Sequence, residues 1–135
     1  MTTIDHDSLS GRPTDHSHGP MIRELVVRGP AVETELRWSV RSDDLFLSVR
    51  GDLCTATVQP LGARMCELAV QFPVRLVVVD LTAVTFADAR AVQLLVELDR
   101  ACAAAGSMLT VGERSPAVER LMRLCGFDVS VVGTP

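Results

Sequence analysis

The chain has 135 residues and a formal net charge of -4, enough for one domain that hides roughly two-thirds of its unfolded surface on folding. Its thirteen basic residues are all arginine, and the acidic balance supplies no basic patch for a nucleic-acid backbone, which excludes nucleic acid as an expected partner. The start, MTTIDHDSLS, has no signal-peptide character, and the most apolar run, RLVVVDL, is far too short to cross a bilayer, so a cytoplasmic protein without direct membrane insertion is expected.

Residues 1–20 are rich in Ser, Thr, Asp, His, Gly and Pro, too polar to offset the entropy of ordering them, and read as a flexible tail. His6, His16 and His18 all fall in this tail and read as solvated side chains, so no metal site is expected. Residues 21–34 form an extension whose MIRELVVRGP segment fits a short edge strand ended by Gly29-Pro30. The domain proper is expected over 35–135.

From Glu35 the pattern is regular. Leu36, Trp38 and Val40 alternate with polar residues, as a strand with one buried face requires. Ser42-Asp43-Asp44 supplies a turn, and Leu45, Leu47 and Val49 repeat the alternation up to Gly51, giving an antiparallel hairpin. Between Thr57 and Phe72 the period changes: Val58, Leu61, Met65, Leu68 and Phe72 recur at helical spacing. After Pro73, RLVVVDL has the composition of a strand covered on both faces. Asp88 is placed to cap a helix that runs to Ala105 and stops at Gly106, with Ala91, Leu95, Leu98, Cys102 and Ala105 as its buried stripe. Met108 to Val111 is a short strand. Ser115-Pro116 opens a third helix bearing Val118, Leu121, Met122 and Cys125, closed by Gly126, and Val129 to Val132 reads as a last strand. The fold class is α/β: a mixed sheet of about four to five strands with helices packed on it, an N-terminal antiparallel hairpin, then βα units.

Within this order stand Gly51-Asp52-Leu53 followed by Thr57, Val77-Val78-Val79-Asp80-Leu81, Val84-Thr85-Phe86, Asp88, Ser115-Pro116-Ala117-Val118 and Leu124-Cys125-Gly126-Phe127. Together they resemble the STAS domain of bacterial anti-sigma factor antagonists over about Leu36 to Val132. The resemblance implies a module that binds a serine-kinase anti-sigma factor and frees a sigma factor until a serine at the start of the second helix is phosphorylated. In the family that serine follows the aspartate matching Asp88, in a stretch reading roughly Asp-Ser-Ser/Thr-Gly-Leu. Here the stretch is Asp88-Ala89-Arg90-Ala91-Val92, so the phosphoacceptor position holds Ala89, and no Ser or Thr lies between Phe86 and Leu98. The family's Gly-Glu-Leu-Asp motif is also altered, with Cys54 where aspartate is usual.

The candidate partner-binding residues are therefore Asp52, Cys54, Asp88, Ala89, Arg90 and Gln93. Asp88 has a full structural explanation as a helix cap. Arg90 is the odd member, because a cation in the first turn opposes the positive end of the helix dipole. It is expected either to point into solvent or pair weakly with Asp88 or Asp52, or to meet a carboxylate or phosphate on a partner. Cys54, beside a helix N-terminus, is the candidate redox thiol, whereas the cysteines as a group are expected to be small, buried and reduced. An enzyme is not expected, because the folded part has no histidine or lysine and no glycine-rich phosphate cradle; no cofactor is implied. Two other readings stand beside the sigma-regulatory one: the STAS subunit of an ABC-type lipid transport complex, and a small-molecule or nucleotide sensor. A homodimer formed by edge pairing of the apolar hairpin is also open.

Overall fold

The computed structural model describes residues 2–5, 23–29 and 32–126. Six strands form one mixed sheet in sequence order: β1 (Thr2–Asp5), β2 (Arg23–Arg28), β3 (Glu33–Arg41), β4 (Asp44–Leu53), β5 (Leu76–Ala87) and β6 (Met108–Arg114). The first three pairings are antiparallel, and β5 joins β4, and β6 joins β5, in parallel. Two helices make the parallel crossovers, α1 (Thr55–Gln71) between β4 and β5 and α2 (Ala89–Ala105) between β5 and β6, and α3 (Pro116–Cys125) follows β6.

The hairpin, the three helices and the βα order are those the periodicity predicts. The sheet is wider at its N-terminal side. Thr2–Asp5 pairs with β2, Thr2 opposite Arg28, where the composition predicts a tail. A strand at an edge is held through its backbone, so its residue types carry little of the signal. The same pairing places β2 inside the sheet rather than at its edge. Residues 6–22, with all three histidines, and the expected strand at Val129–Val132 lie outside the described residues.

Burial alternates along every strand from β3 to β6. Leu36 and Trp38, then Leu45, Leu47 and Val49, then Val77, Val79 and Leu81, then Leu109 and Val111 point to the core. Against them pack Leu61, Met65 and Leu68 of α1, Ala91, Leu94, Leu95, Leu98 and Cys102 of α2, and Val118 and Met122 of α3. This corrects the expectation that β5 is covered on both faces. Val78 is only half-buried and Asp80 is exposed, so the β-branched run reflects strand propensity more than two-sided burial.

Edge pairing of the hairpin with a second copy, left open by the sequence, does not fit this order. β3 and β4 lie inside the sheet, flanked by β2 and β5, and the edges among the described residues are β1 and β6. The cysteines also depart from expectation: only Cys102 is buried, Cys54 and Cys66 are half-buried and Cys125 is exposed. Cys125 and Ala105, expected on buried stripes, are the last residues of their helices and are exposed.

Candidate functional site

Because β4 and β5 are parallel neighbours, their carboxyl ends lie side by side, Leu53 opposite Ala87. Each strand leads at once into a helix, so the N-termini of α1 and α2 open at the same end of the sheet. The Asp88 amide donates to the Leu53 carbonyl at 3.1 Å, joining the two turns.

Asp52 braces this end. Its backbone carbonyl accepts from the hydroxyl of Thr34 on β3 and, at 2.7 Å, from the hydroxyl of Thr57 in the first turn of α1. Its carboxylate accepts from the Thr85 hydroxyl of β5 at 2.8 Å. Thr57 in turn accepts from the Cys54 amide at 3.3 Å and so covers an open donor at the start of α1. Thr34 and Thr57 are fully buried, and Gly51, at φ 105, lets β4 pass within contact of β3. An added Cβ there would lie 2.5 Å from the Glu33 carbonyl oxygen. Sequence reasoning quoted Thr57 and Thr85 as motif residues without giving them this work, and it missed Thr34, whose role depends on a strand distant in sequence.

Asp88 caps α2 as expected, its carboxylate accepting from the Arg90 amide at 2.9 Å. Ala89 is the first residue of the helix and is exposed. Arg90 is exposed as well, and its side chain makes no ion pair among the described residues. Of the two local alternatives, the solvent-facing side chain is the one found, and the pairing with Asp52 or Asp88 is not. Those carboxylates are engaged by the Thr85 hydroxyl, across from β5, and by a backbone amide two residues on. Phe86, 52% exposed, stands at the same end.

Arg90 and Gln93 face a groove of about 450 Å³ between α1 and α2, whose walls also carry Thr55, Val58, Gly62, Cys66, Leu94 and Glu97. Of the predicted set, the structure thus brings Arg90 and Gln93 into one groove, with Asp88 and Ala89 at its head and Asp52 bracing the sheet behind. Cys54 is the N-cap of α1, with its thiol 3.8 Å from the Thr57 hydroxyl. Burial first, and the Glu97 carboxylate second, push the Cys66 thiol upward. Burial pushes Cys102 up to about 11, so neither thiol ionises readily. No group of acidic residues and cysteines among the described residues could hold a metal ion.

A family model described as Mlab, STAS domain, matches residues 37–133, well over half of the chain. The chain belongs to the STAS domain family. The fold of this STAS domain is similar to that of an anti-sigma factor antagonist from Mycobacterium paratuberculosis, with 22% identity, a TM-score of 0.61 and coverage of 70% of this chain and 80% of that one. It is also similar to the anti-sigma factor antagonist SpoIIAA in its unphosphorylated form, with 17% identity, a TM-score of 0.59 and coverage of 67% and 80%. The Bacillus cell fate determinant SpoIIAA in its phosphorylated form aligns at 16% identity with a TM-score of 0.54, covering 67% of this STAS domain and 83% of that chain. At these identities the likeness is one of fold. No curated protein matches the chain in sequence. No described helix is long and apolar enough to cross a membrane.

Proposed function

We propose that this STAS domain is a non-enzymatic interaction module of the cytoplasm that binds a serine-kinase anti-sigma factor and so frees a sigma factor, without being switched by phosphorylation at the start of α2. The observation that carries this reading is Ala89: an exposed first residue of α2, beside the capping Asp88, at the position where the resemblance places the phosphoacceptor. In a site of this shape a phosphoserine would add about -1.5 to -2 charges. An acidic partner group about 4 Å away would then be repelled by roughly 4 kcal/mol per unit charge at a surface-like dielectric, before screening. With alanine there, that repulsion cannot be installed.

Asp52, Cys54, Asp88, Ala89, Arg90 and Gln93 form the proposed contact surface, with Arg90 reaching an acidic group on the partner. Enzymatic chemistry has little support, since the described residues include neither histidine nor lysine.

The test pairs the purified chain with serine-kinase anti-sigma factors, with and without ATP. Binding of the wild type should be indifferent to ATP, and Ala89→Ser should become ATP-sensitive. A phosphate found on the wild-type segment 85–92, or no binding to any such kinase, overturns the reading. A second reading, the STAS subunit of an ABC-type lipid transport complex, is favoured by the description of the matching family model, which names Mlab and not sigma regulation. Capture of an ABC ATPase in place of the kinase would select it.

A further inference from the structure

The groove between α1 and α2 has a polarity of its own. Residues 90, 93, 94 and 97 of α2 recur at helical spacing along one wall, and residues 55, 58, 59, 62 and 66 of α1 along the other. Arg90 stands at the head and Glu97 seven residues further on, a rise of roughly 10 Å along the helix. Both side chains are exposed, and neither makes an ion pair among the described residues. The α1 dipole adds to the positive head, since α1 has no acidic residue in its first turn, whereas the Asp88 carboxylate caps the start of α2 and offsets its dipole, so Arg90 is the cation that marks this end. Between the charges Val58, Gly62, Ala63, Cys66 and the buried Leu94 offer apolar contacts, with the side-chain amides of Gln59 and Gln93 beside them. Gly62 lets the two helices close on each other, its position for a Cβ lying 3.3 Å from the Leu94 side chain.

We infer that this groove seats a helix of a protein partner that carries an acidic residue toward Arg90, a basic residue about two turns away toward Glu97, and apolar residues between them. A helix is the occupant that repeats the groove's own spacing of three, four and seven residues, and opposite charges at the two ends fix its position along the groove. The inference rests on the interaction-module reading and names the chemistry of the partner's contacting segment.

The test uses three synthetic helical peptides that share two central leucines and differ in two charges seven residues apart: glutamate with arginine, glutamate twice, and arginine twice. Fluorescence anisotropy measures each against the full wild-type chain, Arg90→Glu and Glu97→Arg, both changes being at exposed positions. The wild type should prefer the mixed peptide, Arg90→Glu the doubly basic one and Glu97→Arg the doubly acidic one, each by about five-fold, as exposed charge pairs allow. In the wild type the mixed peptide should move the amide resonances of Gly62 and Leu94. One ranking shared by all three proteins, no binding of any peptide, or resonance changes confined elsewhere overturns the groove assignment. If the preferences switch while no serine-kinase anti-sigma factor binds the chain, the groove stands and the sigma-regulatory reading falls. If such a kinase binds and the preferences do not switch, the groove assignment alone falls.

Discussion

Replacing Thr57 with valine changes the volume of a fully buried side chain very little and deletes one hydroxyl. That hydroxyl donates to the Asp52 carbonyl at 2.7 Å and accepts from the Cys54 amide at 3.3 Å. The Asp52 carbonyl keeps a second donor in Thr34, so its loss is that of an ordinary hydrogen bond, about 1 kcal/mol. The Cys54 amide is left without its side-chain acceptor at a half-buried turn, which costs a further 1–2 kcal/mol or so. The expected sum, about 2–3 kcal/mol, corresponds in a domain of this size to a melting temperature lower by roughly 10 °C. Thermal unfolding followed by circular dichroism, with urea melts for the free energy, measures it. Cys54 should also react faster with a thiol reagent in the native variant, because the start of α1 frays. Thr57→Ser, which keeps the hydroxyl, should retain more of the stability. A fall of less than about 2 °C for the valine variant would refute the claim that this hydroxyl holds the junction of β4 and α1.

Gly51→Ala should destabilise by about 3 kcal/mol in urea melts, since it combines a positive φ of 105° with a Cβ 2.5 Å from a backbone oxygen; near-wild-type stability would mean that β3 can move aside. Asp88→Ala should cost about 1 kcal/mol by the same measurement, and Asp88→Ser should restore most of it, because only the cap is lost. Thiol labelling of the native protein should proceed first at Cys125, more slowly at Cys54 and Cys66, and at Cys102 only on unfolding. For Cys102 the folded pKa of about 11 lies above its ordinary 9.0. The unfolded state therefore releases the proton first, and stability should fall as pH rises from about 9 to 11. Cys102→Ala should flatten that decline in denaturation experiments run across the range.

The fold was readable where local pattern decides it. Alternation in Leu36 to Val49 marked the hairpin, helical spacing from Leu61 to Leu68 marked α1, and Asp88, Gly106, Ser115 and Gly126 marked helix ends through their capping chemistry. β1 was not, and β2 was read only as an edge strand, because β1 is held by backbone pairing to residues twenty or more positions away. The two-sided cover expected for β5 failed for a related reason: valine runs report strand preference and say little about what lies over each face. At the site, the sequence marked Ala89 and Arg90 as departures from the pattern it resembles, and it placed the cap at Asp88. It could not show that Asp52 serves as a brace, since Thr34, Thr57 and Thr85 reach it from three different elements. Nor could it show that Arg90 lacks a local partner.

Ala89 lies on the surface, and Asp88 caps its helix whether or not a hydroxyl follows. A serine in its place would disturb no core contact and would lie at a helix terminus that tolerates the residue. On the proposed reading a serine here is the phosphoacceptor, and gaining or losing it is nearly neutral for folding, whereas most changes elsewhere in a domain carry a penalty. On that reading a lineage can pass between a switchable and an unswitchable form by a single codon, with no unstable intermediate, and its regulation is free to drift faster than its architecture.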